Sequence, residues 1–145
     1  MNTKQFNVRV YGICELNSQF LITDEVIDGH RMTKLVGGGL EWGEGLVDAI
    51  KREFREECEA NVIETSHFYT TDFFQQSAFR IEDQLISIYY LVRLEHPERI
   101  NVVQKPFAKI VGNGQCFRWV NREDLRSADF TFPIDQKVIE MLLLT

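Results

Sequence analysis

The segment from residue 37 to residue 59 constrains this chain more than any other part, because it joins a glycine-rich turn to a strongly patterned helix. Within residues 45–59, apolar side chains recur at helical spacing, at Leu46, Val47, Ile50, Phe54 and Cys58. The pattern predicts one amphipathic helix, which ends where Asn61 can break it. We expect its apolar side to pack on a sheet.

Three carboxylates share another side of the predicted helix. Glu53, Glu56 and Glu57 are i, i+3 and i+4 neighbours, so at about 100° per residue they fall within about 100° of arc. Like charges at this spacing destabilise a helix by about 0.2–0.5 kcal/mol per pair unless a cation lies among them. Carboxylates without histidine or thiolate partners suit a hard cation, so the face predicts a site for Mg²⁺ or Mn²⁺, with Arg52 able to orient a carboxylate.

The glycines before the helix decide between two interpretations of this face. A run of charges on a helix is most often a solvated surface with local ion pairs, and residues 51–57 alone favour that interpretation. The turn, however, carries three consecutive glycines from Gly37 to Gly39 and two more at Gly43 and Gly45. Because glycine lets backbone groups approach a ligand that side chains would block, the combination favours a functional site.

The rest of the chain predicts strands around this helix and a second helix. Residues 6–14 and 20–23 form a predicted hairpin around Asn17-Ser18, and residues 24–33, which contain Asp28-Gly29, a polar loop or an irregular second turn. Residues 62–75 and 85–94 are predicted as two long antiparallel strands. Residues 116–120 predict a short strand, and residues 134–144 a helix that begins at Pro133. The long connection 95–114 is a candidate lid or substrate loop. This order predicts an α+β domain that spans residues 1–145.

Composition excludes several classes of partner. Twenty-two Asp and Glu residues against sixteen Lys and Arg give a net charge of -6, which disfavours a polymeric nucleic acid. The longest apolar stretch, residues 85–92, is too short to span a membrane, and the first residues do not resemble a secretion signal, so we expect a cytoplasmic protein. Cys14, Cys58 and Cys116 fit buried reduced thiols.

The spacing of the charged residues resembles that of a known family. Gly38, five residues, Glu44, seven residues and then Arg52-Glu53-Phe54-Arg55-Glu56-Glu57 match the Nudix box of the Nudix hydrolases, six fixed residues over twenty. The resemblance implies a Nudix-like α/β/α sandwich with a central mixed β-sheet. It also implies that Glu53, Glu56 and Glu57 ligate divalent cations or position water, with the Gly37 carbonyl as a further ligand. In the same pattern Arg52 orients Glu53, and Glu44 braces the loop.

The sequence departs from the family pattern at several positions. Glu59 stands where the box usually has glycine, so we expect the predicted helix to end differently from the helix of other members. Before the final strand, where many members place another acidic residue, this chain has Asn113 and Gln115. The catalytic base is then drawn from the three helix carboxylates or from the long loop, for example Glu98.

The resemblance implies a divalent-metal-dependent hydrolase. Its substrate would be a nucleoside diphosphate linked to another moiety, such as a nucleotide sugar, ADP-ribose or a nucleoside triphosphate. The alternative is a catalytically weak nucleotide-binding sensor or regulatory module on the same fold, and a purely structural charged helix is a third interpretation. Trp42 and Phe74 are candidates for stacking on a nucleobase and Arg9 for binding phosphate, although such aromatic residues are more often core and single arginines more often solvated. A homodimer is expected.

Overall fold

The computed structural model describes residues 3–145, so the first two residues of the predicted domain lie outside it. The strands are β1 (Gln5–Leu16), β2 (Gln19–Ile27), β3 (His30–Lys34), β4 (Val36–Gly39), β5 (Asn61–Thr70), β6 (Asp83–Glu95) and β7 (Gly114–Asn121), and the helices are α1 (Leu46–Cys58) and α2 (Pro133–Leu143). Short 3₁₀ turns lie at Pro97–Arg99, Arg122–Asp124 and Ser127–Asp129. Both predicted helices are therefore present.

β1 lies at the centre of a mixed sheet. It pairs in parallel with β6 and antiparallel with β4, and β5 continues the sheet antiparallel to β6. β2 pairs with the end of β1 and is flanked antiparallel by β3 and β7. The combination of parallel and antiparallel pairs with two helices confirms the α+β class.

Side-chain alternation along β1 builds two cores, one on each side of the sheet. Val10 and Cys14 pack with Ile50 and Phe54 of α1. Tyr11 and Ile13 belong to a second cluster that contains Val138 of α2. The sheet therefore lies between the two helices, which confirms the predicted sandwich.

Of the two alternatives predicted for residues 24–33, the loop is wrong and the turn at Asp28-Gly29 is present. β2 continues to Ile27, Asp28 and Gly29 make a two-residue turn, and β3 pairs back from His30. The polar side chains that suggested a loop are satisfied inside the sheet. The Asp24 carboxylate accepts hydrogen bonds from Thr33 Oγ1 and Arg118 Nε, each at 2.7 Å.

The ends of β5 and α1 differ from those that the sequence pattern predicts. The strand predicted over residues 62–75 ends at Thr70, so Phe73 and Phe74 follow the strand and alternation does not assign them a face. α1 ends at Cys58, and Glu59 takes the left-handed conformation with φ of 55°, the conformation that favours glycine after a helix. The helix ends as a glycine would end it, at a cost of about 1 kcal/mol in backbone strain.

Other sequence predictions concern the cysteines and the membrane. Cys14, Cys58 and Cys116 are free and buried, as predicted. No helix within residues 3–145 has the length and apolar character needed to cross a membrane.

Candidate active site

The carboxylates of α1 differ in how deeply they lie. Glu53 is buried, Glu57 is half-buried and Glu56 is exposed. Glu53 lies directly against β4, where a Cβ atom on Gly38 would come within 2.6 Å of Glu53 Oε1. The glycine at position 38 is therefore what allows the carboxylate to approach the strand so closely.

Arg52 links the turn to the helix. Its Nε donates to Glu44 Oε2 at 2.6 Å, and its Nη2 donates to Glu44 Oε1 at 2.9 Å and to the Gly39 carbonyl at 3.0 Å. Its Nη1 donates to Glu53 Oε1 at 2.9 Å and to Glu56 Oε2 at 3.3 Å. These bonds use all five donors of the guanidinium, so Arg52 fixes the position of Glu53 relative to the turn.

Glu44 completes this arrangement on the turn side. Its Oε1 also accepts the Glu41 backbone N–H at 2.9 Å, so one carboxylate binds both the turn backbone and Arg52. The hydrogen bond from Arg52 lowers the pKa of Glu44, and the same bond raises the pKa of Arg52. Both groups are thus charged at neutral pH.

Glu57 has an oxygen without a partner. Within residues 3–145, Glu57 Oε2 is the single buried side-chain oxygen or nitrogen that lacks a hydrogen bond. Burial raises the pKa of Glu57 to about 7, the nearby Lys34 charge lowers it, and Glu53 and Glu25 raise it. Such an orphaned buried carboxylate oxygen is open to a cation or a water molecule.

Lys34 and Glu25 are functional-site residues that sequence reasoning missed. Lys34 Nζ lies 2.9 Å from Glu25 Oε1, and both side chains are largely buried. Glu25 stands in the segment predicted as a loop, and Lys34 is an isolated lysine before the glycines. Nothing in the linear pattern signals that the β2 and β3 pairing brings them to Glu57.

The residues present fit a hard divalent cation. Within residues 3–145 no three carboxylate, imidazole or thiolate groups converge into a complete set of ligands. Mg²⁺, however, commonly takes one or two carboxylates and completes its shell with water and substrate phosphates. Glu53, Glu56 and the free oxygen of Glu57 supply such oxygens on one helix, and Gly37 contributes a carbonyl in β4.

A cavity of about 350 Å³ has no α1 residue in its lining, but the charges of some lining residues act on the α1 carboxylates. Its wall combines strand residues of β1, β2, β3 and β6 with residues 75–80 and the start of α2. The lining residues near α1 are Arg9, Glu25 and Lys34. The charges of Lys34 and Glu25 act on Glu57, and that of Glu53 acts on Arg9, so the cavity and the carboxylate face are electrostatically coupled.

A buried polar chain crosses the cavity wall. Arg9 Nε donates to Tyr11 Oη at 2.7 Å, and the Tyr11 ring stacks on Tyr89 with centroids 5.2 Å apart. The Tyr89 hydroxyl donates to the Asp135 carboxylate in α2. Burial raises the pKa of Asp135 to about 6, although the Tyr89 hydrogen bond lowers it. Asp135 was not predicted, because a lone acid at the start of a helix is ordinary.

The three predicted substrate-binding residues lie apart from one another. Arg9 lines the cavity. Trp42 is fully exposed in the turn before α1, Phe74 is 69% exposed, and neither lines the cavity. The connection 95–114 supplies no lining residue either. It packs back on the sheet, where the Phe107 N–H donates to Asp24 at 3.3 Å.

The fold and the site together define an α+β sandwich enzyme with a carboxylate helix behind a glycine turn. The family model described as NUDIX domain matches residues 3–142. The chain therefore belongs to the Nudix family, and it is a Nudix-type pyrophosphohydrolase. This family acts on substrates that contain a linked nucleoside diphosphate.

Solved structures share the fold over nearly the whole chain. A MutT from a study of Aliivibrio salmonicida and Vibrio cholerae is similar with a TM-score of 0.67 and 24% identity, covering 97% of this chain and 98% of the other. A MutT NUDIX hydrolase from Burkholderia pseudomallei has a TM-score of 0.70 and 15% identity, with 94% of this chain and 98% of the other covered. A NUDIX hydrolase from Nitrosomonas europaea has a TM-score of 0.64 and 20% identity, with 94% of this chain and 87% of the other covered. Comparison with curated proteins gives no significant match.

Proposed function

We propose that this chain is a divalent-metal-dependent hydrolase that cleaves the pyrophosphate bond of a nucleoside diphosphate linked to another moiety. The observation that carries the proposal is the electrostatic coupling between the carboxylate face of α1 and a cavity of about 350 Å³, whose lining residues Lys34 and Glu25 act on Glu57. A substrate with an organic part in the cavity would present its diphosphate to Glu53, Glu56 and Glu57. Nucleotide sugars, ADP-ribose and nucleoside triphosphates all have this form.

Glu53, Glu56, Glu57 and the Gly37 carbonyl would hold Mg²⁺ or Mn²⁺. The need for a cation follows from charge, because a protein with a net charge of -6 repels a diphosphate at a carboxylate face. When bound, the ion polarises the phosphoryl oxygens, neutralises the leaving group and lowers the pKa of water. Arg52, with its five hydrogen bonds, keeps Glu53 in position as the charges change.

The proton of the attacking water goes to one of the α1 carboxylates. Gln115 stands where a family carboxylate would otherwise serve, and its amide donates to Thr23 Oγ1 at 3.0 Å. An amide cannot accept the proton. Glu57 is favoured because its Oε2 has free acceptor capacity beside the other two carboxylates, and proton transfer of this kind contributes about 10²- to 10⁴-fold to a rate.

The cavity binds the nucleoside part of the substrate. Its volume falls within the range of small-molecule sites, and its wall offers tyrosine rings together with convergent polar groups at Arg9 and Asp135. Arg9 contacts a phosphate at the open end. Trp42 and Phe74 stack on the nucleobase from outside the cavity in this proposal, since both side chains are exposed.

The remaining proposals concern the binding partners of the chain, its location in the cell and its oligomeric state. The partner is a small nucleoside diphosphate derivative and not a nucleic-acid polymer or a membrane. The net charge of -6 supports the exclusion of nucleic acid, because an acidic protein repels a long phosphate backbone. We also propose a cytoplasmic protein that forms a homodimer, which sedimentation of the purified chain tests directly.

A substrate panel tests the proposed function. Nucleoside triphosphates, nucleotide sugars and ADP-ribose are each incubated with Mg²⁺, with Mn²⁺ and with a chelator, and the Glu53→Gln variant is the matched control. We expect metal-dependent release of phosphate-containing products from at least one class and almost none from the variant. Inactivity across the panel contradicts the proposal, and metal-dependent binding by calorimetry without product over hours favours the sensor instead.

A further inference from the structure

Lys34 lies where the cavity meets the carboxylate face. Its ammonium is 2.9 Å from Glu25 Oε1, and its side chain is 11% exposed. Lys34 and Glu25 both line the cavity, and the Lys34 charge also acts on Glu57 in α1. Lys34 is therefore a buried cation that adjoins both parts of the site.

The ammonium of Lys34 has donors to spare. It carries three N–H donors, and among residues 3–145 its recorded ion pair is the one with Glu25. Two arginines also line the cavity: Arg9 Nε donates to Tyr11 and Arg80 Nε donates to Asp83 at 2.8 Å, and the Nη donors of Arg9 remain for the phosphate contact proposed above. A ligand in the cavity therefore finds unused donors on Lys34.

The surroundings select an anionic ligand for these donors. Burying an ammonium without adequate partners is costly, and one carboxylate leaves two of its donors unused. Phosphate oxygens are strong acceptors for a compact ammonium, which forms short charge-assisted hydrogen bonds with them. The ionised Glu57 carboxylate nearby has no hydrogen-bond donor, so it offers nothing to a phosphate and leaves that role to Lys34.

We propose that Lys34 binds an oxygen of the substrate's diphosphate at the boundary between the cavity and α1. This inference rests on the proposed function and adds a substrate-binding residue to it. Lys34 keeps Glu25 as one partner and gives its remaining donors to the phosphate. The diphosphate is thereby held against Glu53, Glu56 and Glu57 while the nucleoside lies in the cavity.

The experiment compares Lys34→Met and Lys34→Arg with the wild-type chain. Lys137→Met is the matched control, because Lys137 also pairs with a carboxylate, Asp72 at 3.2 Å, but lies outside the cavity lining. Calorimetry measures binding of Mn²⁺ alone and of imidodiphosphate, a diphosphate analogue that resists hydrolysis. Each imidodiphosphate titration is run with Mn²⁺ and again in EDTA. Thermal unfolding checks that each variant folds, and Lys34→Gln replaces Lys34→Met should the latter unfold.

With Mn²⁺ present, we expect Lys34→Met to weaken imidodiphosphate binding about 10-fold or more, and Lys34→Arg to recover part of the loss. In EDTA every variant should bind imidodiphosphate more weakly than with Mn²⁺, because the carboxylates then repel it, and Lys34→Met should again bind more weakly than the wild type. Lys137→Met should match the wild type. Mn²⁺ affinity of Lys34→Met should be unchanged or higher, because a cation has left the acidic cluster. With a substrate from the panel, KM rises more than kcat falls.

Two results overturn the inference. One is equal imidodiphosphate affinity in Lys34→Met and wild type, which would make Lys34 only a neutralising partner of Glu25. The other is a parallel loss of Mn²⁺ and imidodiphosphate affinity without rescue by arginine, which would indicate a structural role. A wild-type chain that binds no Mn²⁺ contradicts the proposed function alone, and the titrations in EDTA then still decide the role of Lys34.

Discussion

The carboxylate face and the cavity are assembled from different ranges of the chain. The carboxylate face comes from α1 and the turn before it, and Arg52 reaches no farther than Gly39, thirteen positions away. The cavity draws on four strands, one loop and α2, and its hydrogen bond from Tyr89 to Asp135 spans forty-six positions. The proposed metal-dependent chemistry thus depends on one local segment, whereas the proposed substrate cavity depends on the whole sandwich.

This difference has a consequence for substitutions. Changes on the carboxylate face should act on the chemical step, because Arg52 holds Glu53 and Glu44 there by short-range hydrogen bonds. Changes in the cavity should act on substrate affinity and on folding together, because the same residues join the strands to α2. The following predictions test that division.

The largest effect is expected on the carboxylate face. Glu53→Gln and Glu57→Gln should each lower kcat by about 10²-fold or more, because each removes a charged oxygen that binds metal or accepts a proton. Steady-state kinetics at saturating metal measures the effect, and circular dichroism serves as the folding control. Near-normal activity in both variants would contradict the metal-site assignment.

A large effect of pH on stability is expected in the cavity. Burial raises the pKa of Asp135 to about 6 from 3.8, so the folded chain binds this proton more tightly than the unfolded chain does. The stabilisation is full below about pH 4 and is lost as pH rises through about 6. The unfolding free energy of Asp135→Asn, taken relative to that of the wild type, should therefore rise by on the order of 2–3 kcal/mol between pH 4 and pH 7.

Urea denaturation of both proteins at pH 4, 5, 6 and 7 measures this difference. Subtracting the two curves removes the contribution of Glu57, which titrates in both. A difference in unfolding free energy that does not change with pH would show that Asp135 does not titrate in this window. Such a result would contradict the expectation that cavity residues contribute to folding as well as to substrate affinity.

A smaller effect on the chemical step is expected at Glu44. Glu44→Gln weakens the two hydrogen bonds that fix Arg52 to the turn, at 2.6 and 2.9 Å, without removing a metal-binding oxygen. We expect kcat to fall about 10-fold, between the losses at Glu53 and at a loop residue. The measurement is kcat at saturating Mg²⁺, with Glu64→Gln as the control, because Glu64 pairs with Arg93 at 2.8 Å on an exposed surface away from α1. A loss as large as that of Glu53→Gln would place Glu44 among the metal-binding groups.

The same division governs what the sequence could predict. The spacing of Glu53, Glu56 and Glu57 is a property of one helix, so the carboxylate face and α1 could be predicted from the pattern alone. The Glu25 to Lys34 pair depends on strand pairing, and β2 was partly misread because buried Asp24 looks like a loop residue until Thr33 and Arg118 are placed beside it. The cavity could not be predicted for the same reason, since no local spacing records which strands become neighbours.

A change in affinity should separate the cavity from the carboxylate face. Asp135→Asn keeps an acceptor for the Tyr89 hydroxyl but adds a donor and removes the charge at the cavity wall. We expect KM for the preferred substrate to rise a few-fold while kcat stays within about twofold. Initial-rate kinetics at pH 7.5 measures both constants. An equal fall in kcat would mean that Asp135 acts on the chemical step, and the division between the two regions would fail.

The smallest effect is expected at Glu98, in the long connection that packs away from the cavity. Glu98 lies in the 3₁₀ turn Pro97–Arg99, its side chain is 66% exposed, and its Oε1 lies 3.4 Å from Nδ1 of His96. A carboxylate so exposed has no buried contact with α1 and no reason to exchange a proton with the substrate. Glu98→Gln should therefore leave kcat and KM within about twofold of wild type. If Glu98→Gln proves as damaging as Glu57→Gln, the catalytic base lies in the connection, which would then have to close over α1 when substrate binds.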